Sequence, residues 1–260
     1  MISYFERLSE TRFRPTEHTS GAWTVAEQHF SPLGGLLTHS IERFAANRGP
    51  DGLVTSRITF DILGTIAVEE FDVTVEVVRP GRTIELIQST ATWRGRAVAT
   101  GRAWRLQRQD TSAFAGGEPA PLPSPDNIAA EDLTAVWPGG YIETLEFRPV
   151  TWHEGGRTAA WIRSNAELVA GEEVGNLARF VNLLDTANGI AVRAAPDELF
   201  YPNVDLTVHF FRQPTGPWVG FETSVVFGPD GQGLTSTVLH DEHGPVGHEE
   251  QMLTIRPPLT

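Results

Sequence analysis

Gln251 shares strand parity with Leu253 and Ile255, which puts its amide on the apolar face of an alternating segment. A buried amide left without a partner costs on the order of 1–3 kcal/mol, so a specific hydrogen bond or a ligand is expected there. A satisfied structural amide is the plain alternative. Asp205 is a carboxylate that could accept a proton from a water molecule. Its neighbours Val204, Leu206, Val208 and Phe210 have the opposite parity, however, so it could equally face solvent with Thr207 and His209. Gly34, Gly35 and Leu36 follow Ser31-Pro32 at the start of a helical pattern. Backbone N–H groups near a helix N-terminus can stabilise a developing oxyanion, and glycine permits close approach. The same glycines could instead serve tight helix packing.

Asp185 and Asn188 lie on one helical stripe with Leu177, Val181 and Leu184, an unusual place for polar groups. They could line a ligand pocket, but hydrogen bonding to a neighbouring strand is the favoured reading. His240, His243 and His248, with Asp241, Glu242, Glu249 and Glu250, form a His/acid cluster around Gly244. Exposed turn residues explain it more simply than a metal site does, and no metal is expected.

Composition removes whole classes of chemistry. The 260 residues contain no Cys and no Lys, so every one of the 20 basic side chains is Arg. Thiol nucleophiles, thiolate metal sites, disulfides, Schiff-base chemistry and a P-loop lysine are all excluded. No Gly-x-Ser-x-Gly elbow occurs either. A net charge of −13 argues against nucleic acid or an anionic membrane as partner. The stretch up to Arg14 has no apolar signal core, and no run approaches a membrane span, so the chain reads as cytoplasmic.

The elements that must position these residues follow from periodicity. Leu33, Leu36, Leu37, Ile41 and Phe44 predict a helix over 32–47, with Ser31 as N-cap and Pro32 in the first turn. Phe71, Val73, Val75 and Val77 alternate with polar residues as a half-buried strand does, and further strands are predicted at 53–62, 83–93 and 97–107. Gly116-Gly117 and Pro119, Pro121, Pro123 and Pro125 mark a linker, which divides the chain into 1–110, 111–140 and 141–260. Beyond it come strands at 141–149 and 157–165, a mostly buried helix over 174–194, and strands at 203–212, 218–227, 233–241 and 246–256. Each half is thus α+β: a helix wrapped by an antiparallel sheet, made twice. Seven Trp, Trp23, Trp93 and Trp218 among them, either line an apolar tunnel or fill two small cores, and cores are expected.

Phe30-Ser31-Pro32-Leu33-Gly34-Gly35-Leu36-Leu37 resembles the Gly-Gly helix start of acyl-CoA thioesterase II-type, double-hotdog proteins. Asn203 to Arg212 resembles that family's aspartate strand, and Gly244 through His248, Gln251 and Leu253 its closing glutamine strand. The likeness runs in order along nearly the whole chain. It implies a double hotdog that hydrolyses acyl-CoA by direct attack of water, without a covalent intermediate or a cofactor. Carried over by position, Asp205 and Gln251 hold the water, while Gly34, Gly35 and Leu36 remain the oxyanion candidates that the helix start offers. The family's hydroxyl residue falls near Val225 or Val226, so Thr223 or Ser224 is left to serve. A non-catalytic acyl-CoA binder is the alternative that this departure keeps open. The CoA phosphates call for Arg, with Arg57, Arg94, Arg96 and Arg212 as candidates, and a homo-oligomer fits such folds.

Overall fold

The computed structural model describes residues 2–153 and 155–257. In the first half, strands β1 (Ser3–Arg7) and β2 (Arg12–Pro15) precede helix α1 (Phe30–Asn47) and strands β3 (Leu53–Ile62), β4 (Phe71–Arg79), β5 (Ile84–Trp93) and β6 (Arg96–Gln107). After a helical turn α2 (Gly140–Glu143), the second half repeats the order. Strands β7 (Leu145–His153) and β8 (Arg157–Ser164) and the short β9 (Glu167–Val169) precede helices α3 (Asn176–Val181) and α4 (Ala187–Ile190). Strands β10 (Asp205–Phe210), β11 (Val219–Phe227), β12 (Gln232–Asp241) and β13 (Gly244–Thr254) complete it.

The 13 strands of the described residues form one sheet in the order β7-β8-β11-β12-β13-β10-β3-β6-β5-β4-β2-β1-β9. The two halves meet at an antiparallel β10–β3 seam, where Thr207 opposes Thr59 with 3.2 Å between their hydroxyls. One face of the sheet curls over the helices. Leu33, Leu36, Leu37 and Ile41 of α1 are essentially inaccessible, the face that their i, i+3, i+4 spacing requires.

α1 starts earlier than its sequence suggests. His29, not Ser31, is the N-cap, and its Nδ1 accepts the Ser31 N–H at 3.1 Å. Pro32 then sits third in the helix, where its missing N–H costs nothing. Gly35 lets α1 lie against α3, since a Cβ there would come within 2.7 Å of Asn182 Cβ and 3.2 Å of the Ala178 carbonyl.

The expected helix over 174–194 is broken. α3 ends at Val181, a single 3-10 turn spans Leu184–Thr186, and α4 runs only to Ile190. Side chains bond carbonyls along the broken stretch. Tyr141 Oη donates to Asn182 O (3.2 Å), Gln251 Nε2 to Leu184 O (3.5 Å), Trp137 Nε1 to Gly189 O (2.7 Å) and Thr158 Oγ1 to Ile190 O (2.9 Å). Competition from buried donors of the sheet and linker ends the helical ladder, helped by the weak helix formers Asn182, Asn188 and Gly189.

The Pro-rich segment lies along the second half of the sheet. Trp161 Nε1 donates to Pro123 O and Arg148 to Pro125 O, each at 2.8 Å, and Glu131 bridges to Phe147. No helix among the described residues is long and apolar enough to cross a membrane.

Candidate functional site

A pocket opens where the N-terminus of α1 meets the broken helix and the approach to β10. Its walls include His29 and Phe30 of the first half, Asp185, Thr186, Asn188 and Ile190 of the second, and Asn203 just before β10. The break is what turns Asp185 into this space. Asn203 Nδ2 donates to Asp185 Oδ1 at 2.6 Å, and also to the carbonyl of Asp205 at 3.1 Å, which fixes the amide.

Burial pushes the Asp185 carboxyl up to about 7, with the Asn203 hydrogen bond opposing the rise. His29 Nδ1 stands 3.4 Å from Asp185 Oδ2. This contact is no ion pair, because burial holds the imidazole down at about 3 and therefore neutral. Its Nδ1 already accepts the Ser31 N–H, so the ring proton belongs on Nε2. A neutral neighbour leaves the Asp185 carboxyl high, where an imidazolium would have lowered it. The ring packs on Tyr141, with centroids 4.3 Å apart.

Behind the Asp185 turn lies a second buried polar pair. Gln251 is inaccessible, and its Nε2 donates to Glu249 Oε1 as well as to the Leu184 carbonyl. Burial holds the Glu249 carboxyl well above the usual range, and the charge of Asp185 adds to the rise. Glu249 Oε2 and Gln251 Oε1 have no protein partner. Gln251 therefore ties the sheet to the backbone of the residue preceding Asp185.

The sequence-derived candidates separate in space. Asp205 opens β10 with its carboxylate on the side away from Leu206 and Val208, and Oδ1 accepts the Met252 N–H at 2.7 Å. It ties β10 to β13 and is not among the residues that border the pocket. Thr223 is buried against Thr237 Oγ1 at 3.0 Å, while Ser224 points to the opposite face. Both border a different depression, on β8, β11, β12 and β13. Gly34, Gly35 and Leu36 lie beyond the first turn of α1, where each N–H is taken by a carbonyl four residues back. Phe30, the first residue of the helix, borders the pocket, and its N–H has no carbonyl four residues back within the helix. Arg212 is committed to Asp241, with two bonds of 2.6 and 2.7 Å, and to the carbonyls of Gly244 and Pro245.

Three residues of the pocket escaped the sequence reading of function. Asp185 announced itself as a polar group on an apolar stripe, but a structural role was the favoured explanation. Asn203 sat at the edge of the aspartate strand with no role attached. His29 gave no signal, because its cap geometry exists only once the helix begins at Phe30.

Family models match both halves of the chain, the acyl-CoA thioesterase N-terminal domain over residues 19–106 and the C-terminal domain over residues 117–255. Among solved structures, a conserved protein of unknown function with a hot dog fold from Alicyclobacillus acidocaldarius is similar at 13% identity and a TM-score of 0.77, covering 98% of this chain and 96% of that one. The acyl-CoA thioesterase II TesB2 from Mycobacterium marinum is 16% identical, with a TM-score of 0.67 over 98% of this chain and 95% of that one. The tesB protein of Mycobacterium avium subs paratuberculosis is 15% identical, with a TM-score of 0.65 over 97% and 96%. At such identities these likenesses speak for the fold. No curated protein matches the chain. With both family models placed in order along one continuous double-hotdog sheet, the chain belongs to the acyl-CoA thioesterase family.

Proposed function

We propose that the chain hydrolyses an acyl-CoA thioester to free acid and CoA by direct attack of water, with Asp185 as general base. The observation that carries this is a carboxyl held near neutrality, anchored by Asn203, in a pocket shared by both halves. A base poised near the working pH combines a useful ionised fraction with real proton affinity.

Asp185 accepts a proton from the water as its oxygen bonds to the thioester carbonyl carbon. The carbonyl oxygen becomes anionic against the Phe30 N–H, at the positive end of the 18-residue α1. Collapse of the tetrahedral species breaks the C–S bond, and the departing sulfur takes the proton back from Asp185. Asn203 holds the carboxyl in place, and Gln251 acts as a positioning residue through Leu184. Neutral His29 shields the carboxylate without pairing with it.

The test is thiol release from acyl-CoAs, read with a thiol-reactive dye to which this Cys-free chain contributes no background. Asp185→Asn is expected to lose at least about a hundredfold in kcat, the lower end of general-base contributions, while Asp205→Asn retains turnover. The reverse pattern would return the role to Asp205. Wild type that binds acyl-CoA and releases no thiol would leave a binding protein.

A further inference from the structure

We infer that the buried end of this pocket is an aromatic-backed compartment for a short or single-ring acyl group, and that Trp137 sets its length. The identity of the ligand as an acyl thioester rests on the proposed function; the size limit rests on geometry alone.

Exposure differs across the pocket. Of its lining, Gly64 and Thr65 are exposed, whereas Leu133, Trp137, Ile142 and Ile190 are buried. A thioester whose reacting carbon lies beside Asp185, with the bulky CoA arm in solvent, must send its acyl group towards Trp137. The free space of the whole pocket, the part beside Asp185 included, is about 130 Å³. An apolar cavity of about 150 Å³ holds a benzene ring, so this volume suits a butanoyl, hexanoyl or benzoyl group and not a long chain.

The wall is also fixed. The Trp137 indole donates to the Gly189 carbonyl at 2.7 Å, and its ring meets Trp23 edge-on, with centroids 4.9 Å apart at 79°. The backbone just after it is clamped to the first half. A Cβ on Gly21 would stand 2.7 Å from the Pro138 carbonyl, and one on Gly140 would stand 2.3 Å from that of Glu17. Ser20 receives the Gly140 N–H on its hydroxyl and the Tyr141 N–H on its carbonyl, both at 3.0 Å. Swinging the indole aside for a longer chain would therefore cost the Gly189 hydrogen bond and the Trp23 contact, on a backbone that cannot shift to compensate. The residue that limits the acyl group belongs to the segment read from sequence as a linker.

The experiment measures kcat/KM for butanoyl-, hexanoyl-, benzoyl-, decanoyl- and palmitoyl-CoA in wild type, Trp137→Ala and Ile142→Ala. Non-hydrolysable thioether analogues of hexanoyl- and decanoyl-CoA are titrated calorimetrically alongside. Wild type is expected to fall at least about tenfold from hexanoyl to decanoyl, a modest penalty for overfilling an apolar pocket. Either variant should raise the decanoyl-to-hexanoyl ratio at least about tenfold, whereas a merely damaged fold lowers all rates and leaves the ratio unmoved. A wild-type optimum at palmitoyl, or an unmoved ratio in both variants, overturns the inference. Absence of thiol release from every substrate, with hexanoyl thioether binding, decanoyl thioether refused and Trp137→Ala admitting it, would sink the hydrolytic reading while upholding the size limit.

Discussion

Asp185 answers two opposed demands. A base must ionise, yet the burial that brings it to about 7 makes ionisation costly to the fold. The sign follows from linkage. A carboxyl whose folded value lies above its unfolded value contributes stability that is complete below about 3.8 and is lost as pH rises towards about 7. Asp185→Asn removes that loss. The variant should be more stable than wild type at pH 8 by roughly 2–4 kcal/mol, and much less so at pH 4, in urea titrations at the two pH values. Equal differences at both would mean that Asp185 ionises in the fold as freely as in the unfolded chain. Activity should show the other side of the same titration: kcat/KM in wild type rises with pH up to about 7 and then levels. The neutral state of His29 keeps that limb simple, because its own titration near 3 lies well below the range in which the enzyme would work.

At the scale of elements, the paired glycines of α1 separate two explanations that sequence left open. Gly35 is where α1 touches α3, so Gly35→Ala forces a methyl into Asn182 and should destabilise by about 1–3 kcal/mol, the usual range for overpacking. Gly34 faces only the Phe30 ring, at 3.3 Å, and the helix gains from alanine there. Gly34→Ala should therefore keep both stability and thiol release. An oxyanion hole at this pair predicts instead that Gly34→Ala loses turnover in folded protein, which paired urea titration and dye assay would show. Strands β3 to β6 and β10 to β13 were legible within a few residues because each alternates against a single buried face. β1, β2 and β9 went unseen: they are three to five residues long, too short for a period to emerge. The second helix misled for a different reason. Its apolar stripe is real, but Tyr141, Gln251, Trp137 and Thr158 capture its carbonyls from far along the chain. Local pattern cannot register that competition, and with it went the placement of Asp185. Gln251 could be read as a buried amide from parity alone, whereas its partners Glu249 and Leu184 could not.

The whole molecule pairs two similar halves but furnishes them differently. Thr59 and Thr207 face each other across the seam, and each lies beside the matching strand of its own half, Arg102 of β6 and Glu250 of β13. Carrying that correspondence along β6 and β13 makes Ala103 the counterpart of Gln251 and Gly101 the counterpart of Glu249. The first half thus lacks the buried polar pair. The space is filled instead: a Cβ on Gly101 would already stand 2.9 Å from the Phe60 ring, which itself packs edge-on against Phe30 with centroids 5.4 Å apart. Duplication supplies two equivalent frames, and aromatic packing closes one of them while the helix break opens the other. One consequence is a stoichiometry. Calorimetric titration with a non-hydrolysable hexanoyl-CoA thioether should saturate at one equivalent per chain, and Asp185→Asn, which keeps the cavity and its Asn203 neighbour, should leave that number unchanged. Two equivalents would mean that the first half retains a working pocket despite Ala103 and Gly101. The functional asymmetry would then have to lie outside the polar pair.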